Sequence, residues 1–146
     1  MKSIQLEDLV FVQGDDSNYF SSQVVEIQTT SSSTVLYTCR ILSFFHNSIY
    51  DDDNPKWTVE ENKILPLNLI KNTDEISYFD HSFIRNKATF TTTRSSIDSK
   101  LVCTVVVKYK HQDIKISTHI KNIFISKSQA EIILKRNGLQ EKHVSN

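Results

Sequence analysis

The side chains able to do chemistry in this 146-residue chain are few and scattered. Cys39 and Cys103 are its two thiols, each set in an apolar run. Its five histidines, His46, His81, His111, His119 and His143, include no pair at the spacing of a helical HExxH zinc site. No CxxC is present, so the cysteines cannot form a zinc site by themselves. They read as free thiols facing each other in the core, the usual state of buried cysteine, or with one of them as a nucleophile. An intracellular setting disfavours a disulfide. Asp51-Asp52-Asp53 could hold a hard cation, but it lacks the alternating spacing and central glycine of a calcium loop and reads as a solvated acidic loop. Asp80-His81 pairs an acid with a base, without a third partner placed by spacing. Gly14 and Gly138 are the only glycines, whereas a dinucleotide fingerprint, a Walker A loop and a nucleophile elbow each need several close together. An enzyme is therefore not expected, and no catalytic residue, metal or cofactor is assigned.

Binding has more material. Ser43-Phe44-Phe45-His46 ends an apolar strand, and Glu75-Ile76-Ser77-Tyr78-Phe79-Asp80-His81 sets aromatics among acids. Rings beside carboxylates are the parts that hold a cationic side chain, a histone lysine being the obvious one. The competing reading makes Phe45 and Phe79 core residues at strand ends. Basic residues gather at Arg85, Lys87, Arg94 and Lys100 in a Ser/Thr-rich segment, and Lys108, Lys110, Lys115 and Lys121 continue them. Such residues suit phosphate contacts without reading bases, or form a solvated face. The totals, 17 basic and 17 acidic side chains, conceal a split. Residues 1–80 hold 5 Lys+Arg and 13 Asp+Glu, a balance of −8, and residues 81–146 hold 12 and 4, a balance of +8. From charge alone, folding is expected to interleave the halves into a mixed surface, with binding of a charged polymer as the alternative.

The elements that must position these residues read mostly in period two. Val35, Tyr37, Cys39 and Ile41 fall on one face of a strand. Leu9 to Gln13 is a strand ended by the turn Gly14-Asp15-Asp16, and Gln23 to Ile27 is the next, with a polar loop from Gln28 to Thr34. Lys100 to Tyr109 predicts a strand buried on both faces, and Ile114 and Ile116 predict its hairpin partner. Ile120 to Ile125 then predicts a return toward the core. Ser128 and Glu131 have the spacing of a capping box for a short helix stopped at Gly138. His46 to Asn72, with Pro55, Pro66 and Trp57, reads as a long irregular insertion. Hydrophobic content of 38% supports a core, and no apolar run is long enough to span a membrane. With no signal-peptide core after Met1, the expectation is a soluble intracellular domain over 1–139 and a frayed tail over 140–146. The fold class is mainly β, a small partly open barrel or roll with an SH3-like core and a short C-terminal helix.

In this order, Glu7-Asp8-Leu9-Val10-Phe11-Val12, Tyr19 to Ile27, Leu36 to Phe45 and Asp74 to Asp80 resemble the bromo-adjacent homology (BAH) domain. The likeness is to the branch found in the largest subunit of the origin recognition complex and in a fungal silent-chromatin relative. Leu42-Ser43-Phe44-Phe45, Glu75-Ile76-Ser77-Tyr78, Val105 to Tyr109, Ile123 to Ile125 and the helix from Ser128 to Leu139 carry it. It covers nearly the whole chain, through motifs that are each short. Ser77 stands where some relatives place an aromatic. With no ATPase module following, a fragment of a longer protein and a stand-alone relative both stay open. The resemblance implies a nuclear, non-catalytic module that binds nucleosomes, through histones and DNA, in origin recognition or gene silencing. It implies no membrane and no small-molecule substrate. Phe44, Phe45, Tyr78, Phe79, Asp80 and His81 would line a surface for a histone tail or partner. Arg85, Lys87, Arg94 and Lys100 would face nucleosomal DNA. The alternative on the same barrel is an adaptor that recruits a silencing or replication protein without touching nucleosomes.

Overall fold

The computed structural model describes residues 3–43, 55–79, 85–90 and 101–138. Among them the chain is mainly β with one C-terminal helix. Ten strands, all paired antiparallel, form one sheet. They are β1 (Leu9–Gln13), β2 (Tyr19–Thr29), β3 (Val35–Ile41), β4 (Lys56–Val59) and β5 (Ile64–Pro66), then β6 (Glu75–Phe79), β7 (Arg85–Phe90), β8 (Val102–Tyr109), β9 (Gln112–His119) and β10 (Ile123–Ile125). Helix α1 (Lys127–Arg136) follows. The path runs β4-β3-β2-β10-β6-β7-β8-β9, with β1 pairing β2 and β5 beside it. It does not return on itself, so the sheet is a partly open barrel or roll. A bulge at Val25 shifts the β2–β3 register between Val24 and Glu26, which bends the long β2 strand.

Three short stretches of strand are buried on both faces and divide two cores. Phe11, Tyr19, Ile123 and Ile125 point into one, with Leu65, Ile76, Val105 and the α1 residues Ala130 and Ile133. Val10, Val12, Phe20 and Phe124 point into the other, with Val24, Cys39, Ile41 and Ile64. Across the second core a row of rings crosses four strands. Phe20 meets Trp57 edge-on at 6.3 Å and stacks on Phe124 at 6.3 Å, and Phe124 stacks on Phe79 at 5.2 Å. Each such pair adds about 1 kcal/mol to the burial of its surface. Gly14 lies under this row: a Cβ there would sit 2.9 Å from the Phe20 ring and 3.4 Å from Trp57.

Because glycine is scarce, ordinary residues take left-handed backbone conformations at the turns. The β1–β2 and β2–β3 hairpins have the same design, a three-residue loop ending in a serine with positive φ. In the first, Gly14 N donates to Asn18 O at 2.8 Å and Ser17 has φ 71°. In the second, Thr30 N donates to Thr34 O at 2.8 Å and Ser33 has φ 69°. The β8–β9 hairpin pairs Tyr109 with Gln112 across a two-residue turn, with Lys110 at φ 49° and His111 at φ 69°.

Several expectations need correction. The helix is capped by Ser126, whose Oγ accepts from Gln129 N while Gln129 Oε1 accepts from Ser126 N, so the capping box is Ser126–Gln129 and not Ser128–Glu131. Ser126 keeps extended backbone straight out of β10, which starts the helix earlier. Gly138 does stop it with φ 73°. From Pro55 onward the expected irregular insertion is ordered: β4 pairs Trp57 with Cys39, β5 pairs Leu65 with Phe11, and Leu65 is fully buried. His46 to Asn54 lie outside the described residues. β8 is not buried on both faces, since Val102 and Val106 on its outer side are only half-buried. β2 runs on to Thr29 and shortens the expected loop, because Thr29 still pairs with Val35.

Candidate interaction surface

The thiols can be placed first. Cys39 and Cys103 are both free and buried, but they sit in different cores and do not face each other. Burial pushes the Cys39 thiol up to about 11 and the Cys103 thiol up to about 12, away from the range of a nucleophile. Among the described residues, no three His, Cys, Asp or Glu side chains gather as a metal site would require. No helix among them is long and apolar enough to cross a membrane.

Of the six residues expected to receive a histone tail, Tyr78 and Phe79 are described and Phe44, Phe45, Asp80 and His81 are not. As neighbours on a strand, Tyr78 and Phe79 point to opposite faces. Tyr78 is buried in the first core at 7% exposure. Phe79 is half-buried against the second, stacked on Phe124. The two rings therefore do not share one surface. Ser77, which stands where some relatives place an aromatic, is fully buried and donates its hydroxyl to Gln129 Oε1 at 3.1 Å. The same amide oxygen accepts from Ser126 N at 3.0 Å, so Ser77 locks the start of α1 onto β6. At the other end of the helix, the Arg136 guanidinium grips both carboxylate oxygens of Asp74 and donates to Leu69 O at 2.8 Å. Burial alone would raise the Asp74 pKa, but hydrogen bonds from Arg136 and from the Lys71 amide outweigh it and hold the carboxyl below its usual range.

Among the described basic residues, Lys87, Lys108 and Lys115 share one face of the sheet. Ala88 on β7 is buried and pairs with Val107, so Lys87 and Lys108 take the next register position on the exposed outer face. Lys108 pairs with Asp113, and Lys115 pairs with Val106 one position further on that face. With strands about 5 Å apart and about 7 Å between every second residue, Lys87, Lys108 and Lys115 lie within about 12 Å of one another across β7–β9. Arg85 begins the same strand as Lys87, while Arg94 and Lys100 lie outside the described residues. His119, at the far end of this face, has its pKa lowered by burial and by the charge of Lys121. Its Nδ1 accepts the Lys121 amide at 3.0 Å, which favours the neutral ring. Sequence reasoning named Lys108 and Lys115 as part of a basic theme but not as site residues. The alternation Val-Val-Val-Lys against Ile-Lys-Ile was the available signal.

The topology sorts part of the described charge along the sheet path. Described residues 3–43 carry Glu7, Asp8, Asp15, Asp16 and Glu26 against Arg40. Described residues 85–90 and 101–121 carry Arg85, Lys87, Lys108, Lys110, Lys115 and Lys121 against Asp113. Their strands occupy opposite parts of the sheet path, β3 and β2 toward one end and β7, β8 and β9 toward the other, with β10 and β6 between. The signs still meet, at the Arg136–Asp74 ion pair and where Lys108 pairs with Asp113. No protein-family model matches this chain, and no curated protein matches it.

Proposed function

We propose that this chain is a BAH-type, non-catalytic chromatin module of the nucleus, acting in origin recognition or gene silencing. It meets nucleosomal DNA through the outer face of β7–β9. The observation that supports this reading is the placement of Lys87, Lys108 and Lys115 on one exposed face. Three lysines side by side release counterions from phosphate without reading sequence. The histone-tail role of Phe44, Phe45, Tyr78, Phe79, Asp80 and His81 rests on the resemblance alone.

The test is binding to reconstituted nucleosomes over a salt series, comparing the parent with Lys87→Glu/Lys108→Glu. Each phosphate that is no longer neutralised lowers the slope of log affinity against log salt by about 0.9, so the double variant should flatten it by about 2. Arg85→Glu/Lys87→Glu should act in the same direction. An unchanged slope in both variants refutes the DNA-facing surface. The adaptor reading has its own support in Leu6, Val25, Ile27 and Val35, large apolar side chains exposed along the acidic part of the fold. It predicts capture of one protein partner and no nucleosome binding by the parent.

A further inference from the structure

The sheet path ends on β4 and β9, and β5 is the free side of the β1 pairing. Natural sheets blunt such edges by shortness, proline or charge. β4 has four residues, and β5 has three and ends in Pro66. β9 has eight residues and no proline, and among the described residues nothing pairs with its outer side.

The hairpin geometry tells which main-chain groups that edge presents. A two-residue turn makes Tyr109–Gln112 a hydrogen-bonded pair, and pairs then alternate along the ladder. The bond from Ile120 N to Leu101 O at 2.8 Å keeps the same alternation at the far end. Asp113, Lys115 and Ser117 therefore turn their N–H and C=O groups away from β8. Their side chains lie on the basic outer face, while Ile114, 40% exposed, and half-buried Ile116 continue the first core toward the edge.

We infer that β9 takes an added strand from a protein partner. That partner is an extended peptide with acidic residues on one side and apolar residues on the other. Its main chain pairs with Asp113, Lys115 and Ser117, its apolar residues extend the core beside Ile114 and Ile116, and its carboxylates meet Lys115 from directly opposite and from beside Ser117. A second copy of this chain is an outcome of the test: Lys115 set against Lys115 repels, whereas Asp113 set against Lys115 attracts.

The probe is a capped synthetic peptide alternating Glu with Val, titrated against the full chain. It should bind, and the Asp113, Lys115 and Ser117 amides, fast-exchanging in the free protein, should become protected. Ser117→Pro removes an outward N–H without breaking a bond to β8, so its urea midpoint should hold while peptide affinity falls about tenfold or more. A peptide with Lys for Glu should not bind. Nucleosome binding should survive Ser117→Pro, which separates this site from the lysine face used for DNA. The inference is overturned if those amides are already protected in the free protein, if Ser117→Pro binds the peptide as the parent does, or if the chain dimerises through β9.

Discussion

Thr73 is the sharpest case of an ordinary residue doing a glycine's work. It has φ 78° at the third position of a turn in which Asp74 N donates to Lys71 O at 3.1 Å. Such a position is normally filled by Gly or Asn. A side chain with a Cβ costs roughly 1–2 kcal/mol in this conformation, and a β-branched one belongs at the upper end. Thr73 is exposed, so replacing it removes no packing. Glycine gives back about 0.5–1 kcal/mol through the greater freedom of the unfolded chain. Thr73→Gly should therefore stabilise the protein by about 1–1.5 kcal/mol, a rise in Tm of roughly 3–6 °C.

The assay is urea unfolding, read as a shift in midpoint at unchanged slope. Thr73→Ala is the control, because it removes the hydroxyl and the branch but keeps the Cβ that causes the strain. Alanine should recover little of the gain. Ser33→Gly, far along the chain at φ 69°, should add nearly independently. Equal stability of the Gly and Ala variants would refute the reasoning, since the gain must come from the backbone and not from the lost side chain.

Gln129→Ala should cost about 2–3 kcal/mol in urea unfolding, because it strands the buried Ser77 hydroxyl and opens the helix cap together; a loss below that of Ser126→Ala would argue against the lock. Asp74 has a depressed pKa, so its contribution is complete above the unfolded value of about 3.9 and is lost as pH falls through the folded one. The stability gap between parent and Asp74→Asn should therefore close in acid, and a gap that widens there contradicts the pairing with Arg136. Native Cys39 and Cys103 should resist iodoacetamide at pH 8 and both react in urea, as thiols pushed to about 11 and about 12 require. Modification of either in the folded protein would reverse that assignment.

What the sequence made legible was local. The face shared by Tyr37, Cys39 and Ile41 follows from alternation, and all three are buried. Gly138 as the helix stop follows from backbone freedom at one residue. The helix start was not legible, since Ser126–Gln129 and Ser128–Glu131 offer the same spacing two residues apart. A hydroxyl from Ser77, 52 residues away in sequence, supports the first of them. β4 and β5 were missed because strands of three and four residues between prolines have no period of their own. Pairing to β3 and β1 defines them. Alternation marks Lys108 and Lys115 for the outer face, but Lys87 joins them only through the β7–β8 register, which no spacing within either strand reveals.

The distance along the sheet between the acidic and basic strands and the two-core architecture have one origin in β10. This three-residue strand comes late in the chain yet lies between β2 and β6, with Ile123 and Ile125 in one core and Phe124 in the other. It fills the gap between the early acidic strands and the later basic ones. Folding and charge are then separable by substitution. Changes at Ile123 or Phe124 should weaken one core or the other by several kcal/mol. Reversals at exposed Lys87 and Lys108 should leave stability within about 0.5 kcal/mol and register in binding alone.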